Sequence, residues 1–353
     1  MNHPNMEVSQ PFPILKLPFV ALWNVIRNMG IKETVDLSFT SKRLVTIIKS
    51  IPLADPEIIL VARPDEQPSF FPEEGLTTTE DVQKMIEYMG GKQGTEMGSE
   101  HSNVFTEYIC ALYRKDIFAL QINVNTSVPV LTSCLEWMND RQPDLNSCLI
   151  SGDCNCNEMI DQFFKKREFS IRQLCLNLKL SPEIKPFNFG ILETEEFVVR
   201  TMNVTDPIPN WITVDSVLTS NCIIMYIGAT PFTGTDLNRI IKGWINGNNP
   251  RMEFFYVVVK QFNLRSLLDG IEFEKRETTV KRIYIPEDKH FEIQRPITKR
   301  TIVGGYDIRR SDGTVATFKV LHRPQNQGVL WFVMVVWKKT VGILMDCWSS
   351  FGL

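Results

Sequence analysis

Three cysteines fall close together, Cys148, Cys154 and Cys156, and thiolates so placed could hold a zinc ion. Structural zinc sites usually show paired Cys or His ligands at characteristic spacings. Cys154-Asn-Cys156 is a C-x-C with no second pair and no nearby histidine, so the spacing points away from a metal. The chain has four histidines: His3 in a polar terminal stretch, His101 in a polar segment, His290 in PEDKHFE and His322 before Arg323-Pro324. Each reads as solvated, and a Cys-His or Ser-His-Asp site is hard to assemble from them. GGKQG, residues 90–94, lacks the phosphate-loop pattern, and no strand signal precedes it. Lys165-Lys166-Arg167 closes a helical stretch, where cations suit the helix dipole. Arg309-Arg310 runs into a turn, and both basic groups read as solvated charges. No catalytic residue, metal ligand or cofactor is assigned.

The totals narrow the classes further. The chain has 353 residues, 43% hydrophobic and 22% charged, with a formal net charge of −3. That suits one small module plus one large domain. The charge balance supplies no field for gripping phosphate backbones, which argues against nucleic acid. No stretch reaches the roughly 18 apolar residues of a membrane helix. The most apolar run, Val329 to Trp337, reads as a buried strand. The start, MNHPNMEVSQPFP, lacks a basic lead and an apolar signal core. The expectation is a protein of the cytoplasm or nucleus, without a membrane partner. Its eight cysteines agree, since most lie in apolar runs such as YICALY and NCIIMY, as reduced, buried thiols do.

Residues 12–52 show dense helical spacing. Leu17-Pro18 opens a helix in which Val20, Ala21, Leu22, Val25, Ile26 and Met29 recur, with Pro18 suited to the first helical position and Gly30 to the stop. A second helix is expected around Lys32–Ser38. A third runs over Ser41–Ser50, with Leu44, Val45, Ile47 and Ile48 inward and Pro52 beyond its end. Three short helices make a module too small to be very stable alone. Phe19 and Trp23 on its first helix are candidates for a partly exposed, interface-forming face. Residues 62–103 read as a linker, Pro-rich and acidic at first and Gly-rich later, with one helix over Thr79–Met89.

From about residue 104 a loose repeat of strand, helix and strand appears. One copy has strands from Phe118, Pro143 and Ile171, with helices around Leu131–Met138 and Cys156–Lys166. A clearer copy has a strand at Asn221–Ile227, a helix at Thr235–Ile245 capped by Thr235 or Asp236, and a strand from Asn249 to Val259. In both copies a Trp-bearing helix (Trp137, Trp244) leads through a polar turn to a Pro (Pro143, Pro250) and a strand, and both Trp read as core. A strand spacing of about 25–30 residues lies in the range of leucine-rich-repeat-like units. Parallel strands with crossover helices follow. The last eighty or so residues read as strands, with Asp312-Gly313 as a hairpin turn and an antiparallel cap on the repeat. The expected fold class is therefore α+β to α/β: a small three-helix module, then a leucine-rich-repeat-like α/β domain with a strand-rich C-terminal end.

The stretch FPILKLPFVALWNVIRNMGIKETVDLSFTSKRLVTIIKSIP, Phe12 to Pro52, resembles the F-box. Leu17-Pro18 matches the family's opening, and Ala21, Leu22, Val25, Ile26 and Met29 match its apolar positions. Glu33, Val35, Asp36, Leu37, Ser38 and Ser41-Lys42-Arg43 match its next motif, and Leu44 and Ile48 continue the third helix. Val20 stands where an acidic residue is usual, and the common Trp of the third helix is missing. The remainder resembles the type-2 F-box-associated domain of the expanded nematode F-box families, most specifically in TDLNRIIKGWINGNNPRMEFFYV and again in GGYDIRRSDGTVATFKV.

The resemblance implies a non-catalytic substrate adaptor of a ubiquitin ligase. Residues 12–52 would dock on a Skp-type adaptor and through it a cullin, and residues 104–353 would receive an unknown protein substrate. It places Leu17, Pro18, Leu22, Val25, Ile26, Leu37 and Ser38 on the adaptor-facing surface, in the manner of an amphipathic helix laid in an apolar groove. Two other readings stand beside it: a protein-binding scaffold without ligase function, and an enzyme of unrecognised α/β fold. The last would need a cleft of convergent titratable groups, and the sequence offers none.

Overall fold

Leu17 and Pro18 hold extended backbone, with ψ of 144° at both. This ends the short 3-10 turn Ile14–Lys16 and sets the entry to helix α1 (Phe19–Arg27). The computed structural model describes residues 13–53, 58–62, 69–71, 99–152, 157–178, 194–200, 212–259, 263–285, 300–322 and 330–337. Two units partition the chain, 1–60 with 68–117 and 61–67 with 118–353.

In the first unit α1 is followed by α2 (Ile31–Thr40) and α3 (Lys42–Ser50). Pro18 sits just ahead of the first helical residue rather than on it. Gly30 does not stop α1 as the sequence suggested. Asn28 does, its side-chain amide donating to the Asn24 carbonyl at 2.7 Å. Gly30 keeps an extended φ of −67° and starts α2, its carbonyl accepting from both the amide and the hydroxyl of Thr34 at 3.1 and 2.8 Å. Ser41 caps α3 by accepting from the Arg43 amide. Leu22, Ile26, Val35, Leu44, Ile48 and Ile51 form the interior, while Val45 and Ile47 are half-buried. The same unit contains a helix the sequence reading did not anticipate, α4 (Ser99–Tyr113), which buries Thr106, Ile109, Cys110 and Leu112. Short strands β1 (Ile58–Ala62) and β2 (Ser69–Phe71) precede it. The expected helix at Thr79–Met89 lies outside the described residues.

The second unit is a strand-rich α/β region built on a large sheet. Its strands are β3 (Ile117–Asn123), β4 (Asp144–Gly152), β5 (Ser170–Leu178), β6 (Glu196–Arg200), β7 (Ile224–Thr230), β8 (Phe254–Val259), β9 (Glu274–Tyr284), β10 (Arg300–Arg309), β11 (Val315–His322) and β12 (Leu330–Trp337). Their spatial order is β3-β4-β5-β6-β7-β8-β12-β11-β10-β9. From β3 to β8 each strand pairs in parallel with the next in sequence. Helices α5 (Val128–Arg141), α6 (Asn157–Lys166), α7 (Val214–Thr219) and α8 (Gly234–Ile245) lie in four of the crossovers, the arrangement parallel pairing requires. A fifth, α9 (Leu264–Leu268), follows β8.

One face of the parallel strands is continuously apolar: Cys148 and Ile150, Leu174 and Leu176, Phe197 and Val199, Met225 and Ile227, Phe255 and Val257 are all buried. The crossover helices add buried stripes, among them Leu131, Leu135 and Met138 from α5 and Leu237, Ile240, Ile241 and Trp244 from α8. Trp244 is core, as expected, but Trp137 is only half-buried and Met138 takes the interior position. The cap of α8 is Thr233, not Thr235 or Asp236. Its hydroxyl accepts from the Asp236 amide while the Asp236 carboxylate accepts from the Thr233 amide at 2.8 Å.

Beyond β8 the pairing turns antiparallel through β12, β11, β10 and β9. Gly313 takes φ +87° in the β10–β11 turn, and Asp312 accepts from the Thr314 amide at 2.7 Å, so the Asp-Gly signal marks a real hairpin. Four strand spacings of about 4.8 Å would leave β9 roughly 19 Å from β8 in a flat sheet. Tyr284 nevertheless stacks on Phe254 at 5.4 Å between ring centroids. The sheet curls to allow it, and the bend is local. The β9–β10 register breaks between Val303 and Gly305, where Gly304 and Gly305 have φ of +63° and +116°. A side chain at Gly305 would come 2.8 Å from the Phe318 carbonyl oxygen, so only glycine fits. Tyr284 and Ile302 thereby join Ile224, Phe254, Val333 and Val335 in one buried cluster.

Two polar fastenings hold this end. Asp307 is buried and accepts from Arg276 Nε at 2.7 Å, Arg282 Nη2 at 2.9 Å and Thr317 Oγ1 at 2.6 Å. Thr317 in turn accepts from Trp337 Nε1 at 2.7 Å. Burial alone would raise the Asp307 pKa, but hydrogen bonds from Thr317, Arg276 and Arg282, with the Arg282 charge, hold it below the ordinary carboxylate range. The second fastening overturns the reading of Arg310 as a solvated charge. It is 8% exposed, donates to the carbonyls of Trp244 and Asn248 at 2.9 Å each, and lies 4.4 Å from the Trp244 ring. The end of α8 carries negative potential, and the guanidinium adds a second donor to the Trp244 carbonyl, which also accepts from the Gly247 amide at 3.0 Å. The sequence could not show that this hairpin lands there.

Arg310→Ala is expected to lower stability by about 2–4 kcal/mol in denaturant unfolding, and Arg310→Lys to recover little of it. Asp307→Asn is expected to cost about 2–3 kcal/mol at neutral pH. Because the folded pKa of Asp307 is lowered, its contribution is complete above the unfolded value of about 4 and disappears as pH falls through the folded value. Unfolding midpoints measured between about pH 7 and pH 3 should therefore fall less steeply for Asp307→Asn than for the wild type.

Candidate functional site

In the first unit the apolar residues of α1 divide between two sides. Leu22 and Ile26 point into the interior, while Phe19, Val20 and Val25 are 62%, 69% and 40% exposed, with Leu15 of the preceding turn also open to solvent. Leu22 and Ile26 share a face by their i, i+4 spacing, while Phe19 is exposed as the first residue of the helix. Trp23 is half-buried under the Arg27 guanidinium, 5.0 Å from its ring. Phe19, Val20 and Val25 are exposed apolar side chains at separate positions around one short helix, and such exposure suits contact with a protein partner. Of the residues named from the sequence, Pro18 and Val25 are exposed, Leu17 and Leu37 half-buried, and Leu22, Ile26 and Ser38 buried.

Ser38 is held inside by a residue distant in sequence. Its hydroxyl donates to the Val35 carbonyl and accepts from Tyr108 Oη of α4 at 2.7 Å. The Tyr108 ring stacks on Phe39 with centroids 5.3 Å apart. Tyr113, one turn and a half further along α4, donates to the Ile31 carbonyl at 3.3 Å. Burial raises its phenol to about 12, a hydrogen bond with Thr34 opposing the shift, so it remains a donor at physiological pH. The sequence reading missed both tyrosines. Their signal was the run YICALY, where Tyr108, Ile109, Leu112 and Tyr113 recur at helical spacing.

In the second unit, the sheet face opposite the apolar one carries half-buried aromatic rings. Tyr226 and Tyr256 are register partners on β7 and β8 and stack with centroids 4.4 Å apart and planes 3° from parallel, and Trp331 of β12 lies 5.9 Å from Tyr256. Reactive groups are not gathered here. Burial pushes the thiols of Cys134 and Cys222 up to about 12 and raises that of Cys148, which keeps them protonated and unreactive. Cys154 and Cys156 lie outside the described residues. Among the described residues no group of three or more His, Cys, Asp or Glu side chains could hold a metal ion, and no helix is long and apolar enough to cross a membrane.

The stretch from Thr235 to Val257 serves the scaffold. Leu237, Ile240, Ile241, Trp244, Met252, Phe254 and Phe255 are core. Asn238 donates to the carbonyls of Leu267 and Asp269 at 2.9 and 2.8 Å, fastening the end of α9. Asn249 adopts φ +50° and donates to the carbonyls of Val217 and Ser220 at 2.6 and 2.9 Å, fastening the end of α7.

Residues 14–55 match the family described as F-box domain, and residues 190–257 the family described as F-box associated. The second match contains the whole Thr235–Val257 stretch, while Gly304–Val320 lies beyond it. The F-box associated domain-containing protein sdz-33 of Caenorhabditis elegans is 24% identical over 300 residues, 81% of this chain and 91% of the relative. The C. elegans uncharacterized protein F59B2.9 is 22% identical over 201 residues, 55% of this chain, which spans 43% of that relative's length. No solved structure matches the chain. Helices α1 to α3 thus match an F-box, and an F-box-associated match follows it along the chain.

Proposed function

We propose that this chain is a substrate-recognition subunit of a Skp-cullin-F-box type ubiquitin ligase, acting in the cytoplasm or nucleus. The observation that carries the reading is the F-box match on a module whose first helix leaves Phe19, Val20 and Val25 open to solvent. Residues 12–52 form the docking module for a Skp-type adaptor, which bridges to the cullin. Leu17, Pro18, Leu22, Val25, Ile26, Leu37 and Ser38 shape the adaptor-facing side, Pro18 and Val25 from its surface and Leu22, Ile26 and Ser38 from beneath. Residues 104–353 form the substrate receptor. We read its sequential parallel strands and crossover helices as leucine-rich-repeat-like, with the aromatic sheet face available to a protein ligand. The mechanism is proximity: a tethered receptor raises the local concentration of a substrate lysine near the charged transfer enzyme. No nucleophile in this chain is required, and the buried, protonated thiols suit that role.

The rival reading, a protein-binding scaffold without ligase function, draws on Val20 at a usually acidic position and on the absent Trp of the third helix. The two separate in a pull-down of the full chain with Skp-type adaptors. Wild-type protein should be captured. Val25→Asp should lose about tenfold or more in affinity while keeping its unfolding midpoint, because the side chain is 40% exposed. The double variant Leu17→Ala, Pro18→Ala should also weaken capture. A folded wild-type protein that binds no adaptor, or a Val25→Asp variant that binds undiminished, would remove the adaptor reading and leave the scaffold.

A further inference from the structure

We infer that Ser38 serves adaptor docking indirectly, as the acceptor for Tyr108, and that Tyr108 and Tyr113 of α4 are positioning residues of the docking module. The inference rests on the adaptor reading and adds to it two residues that lie outside the F-box match at 14–55. A module of three short helices buries little surface, so the orientation of its helices depends on what else packs against it. Helix α4 fills that role with directional contacts. Tyr108 Oη reaches Ser38 Oγ at 2.7 Å while its ring stacks on Phe39, and Tyr113 Oη reaches the Ile31 carbonyl at 3.3 Å. Ile31 is the first residue of α2, and Ser38 and Phe39 lie in its last turn. The two tyrosines therefore grip α2 at both ends, and each hydroxyl lies in a buried or half-buried setting where losing a partner is felt.

Losing that grip lowers the fraction of the module packed in the docking-competent arrangement and raises the apparent dissociation constant in proportion. A direct adaptor contact by Ser38 would behave differently, because it would not depend on what stands at position 108.

A double-mutant cycle on the full-length chain separates the two. Adaptor dissociation constants are measured for wild type, Ser38→Ala, Tyr108→Phe and the double variant, with thermal unfolding of each recorded in parallel. Ser38→Ala removes the Tyr108–Ser38 hydrogen bond and should weaken adaptor binding about three- to tenfold. In the Tyr108→Phe background the same change should have much less effect, since the shared hydrogen bond is already gone while the ring stacking remains. Tyr113→Phe should weaken binding about two- to fivefold. Equal losses from Ser38→Ala in both backgrounds would overturn the inference in favour of direct contact. Unchanged dissociation constants in all variants, with only the unfolding midpoint displaced, would overturn it in favour of a purely structural role. Failure of the wild type to bind would show instead that the underlying adaptor reading is wrong, and the inference would fall with it.

Discussion

Three helices of nine or ten residues each cannot enclose much apolar surface, because a small body has too much outside for its inside. Their interior consists of six aliphatic side chains, each contributing about 1.5–3 kcal/mol when fully buried, against the conformational entropy of ordering some forty residues. Phe19, Val20 and Val25 of α1 stay in water. Helix α4 adds support to so small a module, Tyr108 and Tyr113 bonding to the two ends of α2. The F-box as a sequence motif ends before α4 begins. As a packed body, this one does not.

The second unit meets the opposite problem. Its sheet has ample apolar surface, and the task is to fix where each strand lies. Sequential parallel pairing with helices in the crossovers does this over β3–β8. The antiparallel end is fixed by polar contacts in places where water is excluded. Arg310 closes the end of α8 and Asp307 ties β9, β10 and β11 together. Asn238 and Asn249 do the same for two helix ends. Such groups are demanding because each would be destabilising if its partners were removed. This explains why Thr235–Val257, which lies within the F-box-associated match, is spent on the scaffold. A sheet face so firmly held can carry different residues without refolding.

The sequence conveyed the elements whose signals are local. Helical spacing located α1 to α3 to within two or three residues, β-branched runs located most strands from Phe118 to Trp337 but not β6, and Asp312-Gly313 located a turn. What it did not convey depends on neighbours distant along the chain. Gly30 has the type of a helix stop, but whether it takes a left-handed φ depends on packing, and Asn28 ends the helix first. Thr233, Thr235 and Asp236 are all capping types, and the chain's approach to α8 chose the first. Arg310 looked solvated because its partners lie about sixty residues away. Ser38 looked like surface because its partner, Tyr108, belongs to a helix in a region that reads as polar linker at its start. The sequence could name candidate residues, but it could not show which of them are exposed and which are buried.

The most direct test of the account is hydrogen–deuterium exchange of the full-length chain with and without a saturating Skp-type adaptor. Exchange through open backbone amides reports where a partner covers the chain. The account predicts slowed exchange in peptides spanning Ile14–Arg27, with β7 and β8, Ile224–Thr230 and Phe254–Val259, unchanged. Unaltered exchange across Ile14–Arg27, or protection confined to the sheet strands, would contradict it.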